Sequence, residues 1–310
     1  MVGNLSPLYL LWVLLFHLLI TPSASFLFVS QVRLPSSLKL AARRETSHEP
    51  VNLTIIIPAY NEVFRIGDTL RTYSDYLKTN SFPLLDSCKI LVVDDGSIDG
   101  TAELVRSFEG IDCISLPTNQ GKGAAVACGI GQIPAGELGL VADADGSANI
   151  ECLDAMMKML VQTIESSTVR DPDDFWSTPA IVVGNRGSST SLVRSVLRWG
   201  FRTTVKLLAG DVGVGDTQCG FKLMTIAAAK PLYADLNLQG WTHDVEVLYR
   251  AKQNKIPAGE QAIEWQDKDG SKLVESPGGT VGVSVVMLLE VLQMRLAYET
   301  GQWKLPRVDE

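Results

Sequence analysis

The chain has few of the residues that zinc sites, serine-type triads and nucleic-acid surfaces require. Among its 310 residues there are only three histidines, His17, His48 and His243. So few histidines argue against a histidine-rich zinc site and against a Ser-His-Asp triad. Acidic residues outnumber basic ones by 35 to 27, and the formal net charge is −8. This balance argues against binding through bulk positive charge, so we expect no nucleic-acid partner.

Cysteine is also sparse, and its pattern does not suggest a disulfide framework. The five cysteines form no Cys-x-x-Cys pair, and their number is odd. They are Cys88, Cys113, Cys128, Cys152 and Cys219. Because each lies in or beside an apolar run, we expect buried free thiols in a reducing compartment.

Lys and Arg are absent before Arg33, although this region contains a long apolar run from Leu8 to Ile20. A run of thirteen residues, apolar except for His17, is typical of a signal-peptide core, but the basic segment that precedes such a core is missing. Residues 1–29 therefore predict a hydrophobic leader, and we favour an uncleaved membrane anchor over a cleaved signal. The first basic residues follow the run, which would leave the rest of the chain in the cytosol. Residues 30–50 are polar and predict a linker.

From Val51 onward, short apolar runs alternate with helical stretches, a pattern that predicts an α/β fold. We expect a mostly parallel, Rossmann-like sheet with helices on both faces. Predicted strands are 53–57, ended by Pro58, and 89–93, 113–116, 138–142 and 180–183. Predicted helices are about 63–78, 99–108, 122–131, 152–164 and 191–209. The main domain is expected to span 51–275, followed at 276–310 by an apolar helix that is membrane-associated or packed on the domain.

Two carboxylates, Asp143 and Asp145, follow the predicted strand at 138–142. Side chains on a strand repeat every second residue, so this pair can point the same way. Two acids beside a hydrophobic core are costly to desolvate, which predicts a cation near them. Oxygen ligands suit Mg²⁺ or Mn²⁺. A surface turn is the alternative, because Asp and Gly are ordinary turn residues.

Polar residues also follow the first two predicted strands. Tyr60 and Glu62 come after the first, and Asp94 and Asp95 end the second. Because parallel strands bind ligands at their carboxyl ends, we expect these residues to share one rim with Asp143 and Asp145. Tyr60 can cover a base, and the carboxylates can accept hydrogen bonds from ribose or base. Turn chemistry is the alternative for either segment taken alone.

Four motifs along this rim resemble those of the family 2 glycosyltransferases of the GT-A fold. They are Pro-Ala-Tyr-Asn-Glu at 58–62, Asp-Asp-Gly-Ser at 94–97, Asn-Gln-Gly-Lys-Gly at 119–123 and Asp-Ala-Asp-Gly at 143–146. Later motifs at 216–222, 241–246 and 270–273 resemble in particular the dolichyl-phosphate β-glucosyltransferases of that family. The similarity covers about residues 51–303.

The resemblance implies an enzyme that transfers glucose from UDP-glucose to dolichyl (polyprenyl) phosphate with inversion. The product would be a glucose donor for N-glycan precursor assembly. The resemblance further implies an endoplasmic reticulum membrane protein with its catalytic domain in the cytosol, and a divalent metal, Mg²⁺ or Mn²⁺, as cofactor. Two alternatives stay open, a polyprenyl-phosphate mannosyltransferase that uses GDP-mannose and a non-catalytic sugar-nucleotide-binding protein.

The resemblance also assigns residues to each part of the site. The nucleotide-sugar positions would be Pro58, Tyr60, Glu62, Asp94, Asp95 and Asp143. The catalytic positions would be Lys122, Asp145, Arg186 and Asp216, with Asp143 and Asp145 at the metal and Asp145 its direct ligand. The acceptor and sugar positions would be Gln218, Lys222, Trp241, Asp244, Glu246 and Lys272.

Two positions depart from patterns found in related enzymes. Asn185 stands where relatives usually carry Ser, beside the phosphate-binding position Arg186. The Gln-x-x-Arg-Trp motif of processive synthases is missing, because Ser195 stands where that motif has Gln before Arg198 and Trp199. This second departure argues against a polysaccharide synthase.

Overall fold

A computed structural model describes residues 48–168, 174–187, 203, 205, 206, 210, 212–266, 268 and 279–306. The predicted leader, nearly all of the predicted linker, most of the predicted helix at 191–209 and Lys272 lie outside the described residues. In the part of the chain that the structure describes, no helix is both long enough and apolar enough to cross a bilayer.

Seven strands within the described residues form a single sheet. They are β1 (Val51–Ala59), β2 (Leu85–Asp94), β3 (Ile111–Ser115), β4 (Leu138–Val141), β5 (Ile181–Asn185), β6 (Lys222–Thr225) and β7 (Ala258–Ala262). Their order across the sheet is β3-β2-β1-β4-β6-β5-β7. Neighbouring strands are parallel except at β6, which runs antiparallel to both β4 and β5. The predicted mostly parallel sheet is confirmed.

Helices connect and cover these strands. They are α1 (Ile66–Thr79), α2 (Thr101–Arg106), α3 (Lys122–Gly131), α4 (Leu153–Glu165), α5 (Ile226–Tyr233), α6 (His243–Gln253) and α7 (Gly279–Glu299). Short 3₁₀ turns lie at Ile150–Cys152 and Phe175–Ser177. α3 packs against β1 and β2, and α4 against β5, β6 and β7. The prediction for α3 is confirmed at both ends.

The expectation that Pro58 ends the first strand is wrong, because β1 continues through Ala59. Ile56 turns its carbonyl toward the β4 side and accepts a hydrogen bond from the Ala142 amide at 3.0 Å. Two residues later, Pro58 faces the same side, beyond the last residue of β4. Its missing N–H therefore costs no hydrogen bond in the sheet.

The sequence pattern did not predict β6 or β7. β6 has only four residues and begins with a lysine, and β7 has the sequence AGEQA without an apolar run. Because β6 is antiparallel, its first residue lies at the edge where β1, β2, β4 and β5 end. The segment 216–221, which precedes β6, is thereby brought to that same edge.

The five cysteines, all within the described ranges, are free thiols, as expected. Cys219 is fully buried, whereas the other four are only partly buried. The expectation of burial therefore holds fully for Cys219 alone.

Candidate active site

Asp94 and Asp95, at the end of β2, are buried and hold neighbouring loops by their backbone amides. The carboxylate of Asp95 accepts hydrogen bonds from the amides of Gln120 at 2.8 Å and Gly121 at 2.9 Å. Burial raises the pKa of Asp95, and these two amides partly offset that rise. Asp94 accepts from the amide of Ser97 at 3.2 Å. The end of β2 is thus tied to the loop that enters α3.

The loop after β1 is bonded to the loop after β2. The amide of Asn61 donates to the Ser97 hydroxyl at 2.9 Å, and the Asn61 side chain accepts from the Ile98 amide at 2.9 Å. Asn61 has a φ of +50°, a conformation that asparagine tolerates better than most residues. Tyr60, just before it, is partly exposed at this edge, and Pro58 lies within β1.

The carboxylate of Glu62 is held by Arg65, a residue outside the motifs that predict the site. Arg65 donates from Nε and Nη2 to the two carboxylate oxygens of Glu62, at 2.7 and 2.6 Å. Its Nη1 lies 3.9 Å from Oδ2 of Asp145. The spacing of Glu62 and Arg65, three residues apart at a helix start, was the available signal.

Lys122, the first residue of α3, pairs with Asp143, the first of the two carboxylates after β4. Their Nζ and Oδ1 atoms are 2.5 Å apart, and Nζ also lies 5.6 Å from the ring centre of Trp241. Burial alone would lower the pKa of Lys122, but Asp143 and Asp244 outweigh it and raise that pKa. A Cβ at Gly220 would overlap the Asp143 carboxylate, so glycine permits this approach.

Asp143 and Asp145, the two predicted metal ligands, each have one carboxylate oxygen in a hydrogen bond. Oδ1 of Asp145 accepts from the Ser147 amide at 2.9 Å, and Oδ1 of Asp143 accepts from Lys122. Among the described residues, no group of three His, Cys, Asp or Glu side chains converges on one point. Asp143 and Asp145 could therefore hold Mg²⁺ or Mn²⁺ only if phosphate oxygens and water completed the shell of the ion.

Arg186 and Asp216, predicted separately, form one ion pair. Arg186 donates from Nε and Nη2 to the two oxygens of Asp216, both at 2.8 Å, and its guanidinium lies over the Trp265 ring at 5.2 Å. Burial alone would lower the pKa of Arg186, but the hydrogen bonds and charge of Asp216 raise it. Glu260 of β7 in turn accepts from the Asp216 amide at 2.8 Å. The predicted phosphate-binding arginine is therefore held in place by a buried carboxylate.

Lys222 and Asp244 are brought together inside the protein. The ammonium of Lys222 lies 2.8 Å from Oδ1 of Asp244 and also donates to the carbonyl of Cys219. Burial would raise the pKa of Asp244, but His243, with Nε2 at 3.0 Å, and Lys222 hold it well below its usual range. Lys222 is fully buried. Contact between Lys222 and a lipid phosphate, which stays a prediction, would require this pair to separate.

Glu246 lies in the packing between α6 and α7, away from the exposed rim. Its carboxylate accepts from Arg250 Nη2 at 2.7 Å, from the Tyr298 hydroxyl at 2.8 Å and from the Leu238 amide at 2.7 Å. Asn237 donates to it as well. In this arrangement Glu246 joins α6, the preceding loop and α7, and it is fully buried.

Gln218 and Trp241, from the two acceptor-side motifs, lie beside α7 or the nucleotide rim. The side-chain amide of Gln218 contacts Sδ of Met287 at 3.9 Å. Thr242, next to Trp241, donates to Glu290 at 2.5 Å. Trp241 is 41% exposed and adjoins Lys122, as described above. The motifs at 216–222 and 241–246 are therefore held between α7 and the strand-end rim.

Residues 54–178 match the family model for glycosyl transferase family 2. The chain is 33% identical over 270 residues to a Dictyostelium discoideum dolichyl-phosphate β-glucosyltransferase, covering 82% of this chain and 77% of the relative. Its identity to the human protein of the same name is 33% over 267 residues, covering 82% and 78%.

The fold is similar to that of glucosyl-3-phosphoglycerate synthase from Mycobacterium tuberculosis, solved with Mn²⁺, UDP and glucosyl-3-phosphoglycerate. The TM-score is 0.52 at 15% identity, over 78% of this chain and 80% of that one. At this identity the likeness shows a shared GT-A-like α/β fold alone. The sequence similarity to full-length relatives goes further, and by it the chain belongs to the dolichyl-phosphate β-glucosyltransferases, a family of glycosyltransferase enzymes.

Proposed function

We propose that the chain transfers glucose from UDP-glucose to dolichyl phosphate with inversion, releasing UDP. The relatives are named for glucosyl transfer to dolichyl phosphate. The observation that carries the proposal is the position of Lys122. Its ammonium contacts both Asp143, on the proposed nucleotide side, and Trp241, on the proposed acceptor side. A donor bound along the strand ends would then lie close to an acceptor bound beside Trp241.

The donor would lie along the strand ends, with its nucleoside near Tyr60, Asp94 and Asp95 and its diphosphate near Asp145. A divalent cation held by Asp145 would supply a Lewis acid for the departing diphosphate. Lys122 adds a positive charge in a partly buried setting, where its electrostatic effect on the developing negative charge is larger than in water.

The acceptor needs orientation more than it needs activation. A polyprenyl phosphate is already anionic at neutral pH, so no strong general base is required for its attack. Arg186, oriented by Asp216, is the cation that we propose for the acceptor phosphate, since a guanidinium matches phosphate geometry. Direct attack on an α-linked donor would give the β-linked product. Asp244 would act by positioning Lys222.

We further propose that α7 faces the membrane that carries the acceptor. Val285, Leu289, Leu292 and Leu296 are 40–60% exposed and recur along one side of the helix. The opposite side is buried against the domain, through Met287, Val291, Met294 and Ala297. Because the inner side also contacts Gln218 and Thr242, a lipid surface on the outer side would lie close to the acceptor motifs.

The predicted leader at 1–29 would add a second attachment, which anchors the chain in the endoplasmic reticulum membrane with its catalytic domain in the cytosol. This topology follows from the position of the first basic residues after the apolar run.

A donor assay on the full chain tests the proposed reaction. The purified protein in vesicles that contain dolichyl phosphate and Mg²⁺ is given UDP-glucose, UDP-N-acetylglucosamine or GDP-mannose. We expect a β-linked glucosyl phosphate lipid from UDP-glucose alone, with the anomer assigned by NMR. Preferred transfer from GDP-mannose would overturn the proposed donor, and an α-linked product would overturn inversion. Binding of UDP-glucose without turnover would overturn the proposed reaction.

A further inference from the structure

Arg65 stands at a helix start where an arginine is locally unfavourable. It occupies the N-cap position of α1, and its side chain makes no capping hydrogen bond there. Short side chains that accept hydrogen bonds are preferred at this position, and a positive charge is disfavoured by the helix dipole. Helix formation therefore does not explain the presence of Arg65, whereas its contacts with acidic residues do.

Those contacts place its guanidinium between acids from two different strand ends. Glu62, after β1, engages Nε and Nη2 through both of its carboxylate oxygens. Nη1 is the atom nearest to Asp145, which follows β4, at 3.9 Å. That distance is too long for a hydrogen bond but short enough for strong electrostatic attraction. The side chains of Glu62, Arg65 and Asp145 are only 10–23% exposed, so water screens their charges weakly.

The same geometry gives Glu62 a different contact from the one that its motif implies. The sequence motif assigns Glu62 to the nucleotide directly, but both of its oxygens are engaged by Arg65. Two parallel hydrogen bonds from one carboxylate fix the plane and the orientation of the guanidinium. Glu62 is therefore suited to position Arg65.

We propose that Arg65 binds the diphosphate of the donor nucleotide beside Asp145, and that Glu62 positions its guanidinium for this contact. The inference rests on the proposed function, because it assumes a nucleoside diphosphate donor. A planar guanidinium with donors on several edges can hold a carboxylate on one side and phosphate oxygens on another. Arg65 would then share the neutralisation of the diphosphate with Lys122 and with the cation held by Asp145.

The chain offers a matched control on the same helix. Arg71 pairs with Asp68 at 2.5 Å, also three residues apart, but this pair is well exposed to solvent. Arg65→Gln and Arg71→Gln each remove a guanidinium from an ion pair with a carboxylate three residues earlier, at the N-cap of α1 and within α1. The two pairs differ in exposure and in whether an acid of the strand-end rim lies next to the guanidinium.

Calorimetric binding of UDP, UMP and uridine to the full-length protein with Mg²⁺ tests the inference. We expect Arg65→Gln to weaken UDP binding about tenfold or more, since hydrogen bonds between charged groups are lost. Uridine binding should change less than about twofold, because uridine carries no phosphate. The UDP affinity of Arg65→Lys should lie between those of wild type and Arg65→Gln, because lysine keeps the charge but not the planar set of hydrogen-bond donors. Arg71→Gln should bind all three ligands as wild type does.

An equal loss of UDP and uridine binding in Arg65→Gln would overturn the inference. It would show that the Glu62–Arg65 pair only maintains the local structure. Unchanged UDP binding in that variant would overturn it as well. If Arg65→Gln does not fold, by its thermal unfolding curve, the UDP-to-uridine affinity ratio of Arg65→Lys decides the question in the same way. A wild-type protein that prefers GDP to UDP would overturn the proposed donor only, because Arg65 can then be tested with GDP against guanosine.

Discussion

The proposed nucleotide side and the proposed acceptor side of the site hold their charged side chains in different ways. On the nucleotide side, Asp94, Asp95 and Asp145 hold backbone amides of nearby loops and lie at the ends of strands. On the acceptor side, Lys222, Asp244 and Glu246 are buried in ion pairs with other side chains. Asp145 is left partly exposed at the rim, at 23%, whereas the buried pairs of Lys222, Asp244 and Glu246 join the elements around it. We therefore expect substitutions on the proposed nucleotide side to reduce transfer activity, and substitutions on the proposed acceptor side to reduce the free energy of unfolding.

The largest expected effect is on the nucleotide side, where activity should be lost without loss of the fold. Asp145→Ala removes the carboxylate proposed to hold the cation, and transfer should fall by about a thousandfold or more. Turnover with UDP-glucose and a thermal unfolding curve measure both quantities. Asp154→Ala, which removes an exposed carboxylate of α4, is the matched control and should leave both unchanged. Near-normal transfer by folded Asp145→Ala would remove the proposed metal function.

On the acceptor side, stability should be lost first. Asp244→Asn leaves the ammonium of Lys222 buried without its carboxylate, which costs about 3–5 kcal/mol in the free energy of unfolding. Denaturant unfolding measures this cost. Asp68→Asn breaks an exposed ion pair and should cost less than about 1 kcal/mol.

The cost of Asp244→Asn should also depend on pH. The pKa of Asp244 is lowered by folding, so its stabilising contribution is complete above the unfolded value of about 3.9 and is lost below it. The stability difference between wild type and variant should therefore shrink as the pH falls below about 4. A difference that does not change with pH would show that the Asp244 carboxylate is not the cause.

Substitutions on the outer side of α7 should lower transfer to acceptors in a membrane and leave transfer to soluble acceptors unchanged. We expect the double substitution Leu289→Gln with Leu292→Gln to lower transfer to dolichyl phosphate in vesicles about tenfold, because two exposed apolar side chains are lost. Transfer to a short-chain, water-soluble polyprenyl phosphate should be unchanged. Gln293→Ser, on the same exposed surface, is the control. Equal losses with both acceptors would contradict membrane contact by α7.

The smallest effect is expected where α7 joins α6. Tyr298→Phe removes a hydroxyl that donates to Glu246 and accepts from Arg250, both at 2.8 Å. The free energy of unfolding should fall by about 1–2 kcal/mol, because buried charged groups lose a hydrogen-bonding partner. Tyr76→Phe, at a partly exposed tyrosine of α1, should change it by less than about 0.5 kcal/mol. If folded Tyr298→Phe also lost transfer activity, α7 would be shown to orient the motifs at 216–222 and 241–246 as well.

The accuracy of the sequence-based predictions differed between the two sides for physical reasons. Strands β1 to β4 are predictable because three of them contain strongly apolar runs and all of them alternate with helices. α3 is predictable at both ends because it begins after a glycine and is rich in small residues. β7 is partly exposed and contains no apolar run, so hydrophobicity carries no signal for it.

The sequence by itself determined the chemistry that is encoded within single segments. Acids at strand ends, the Gly-Lys-Gly start of α3 and the family motifs require only local order, because adjacent strands in a parallel sheet end at one edge. Only the tertiary structure decided which charges meet. Arg65 with Asp145, Lys122 with Asp143, and Lys222 with Asp244 come from distant segments. Their pairing follows from burial, since a charge removed from water is stable only beside a partner that the fold supplies.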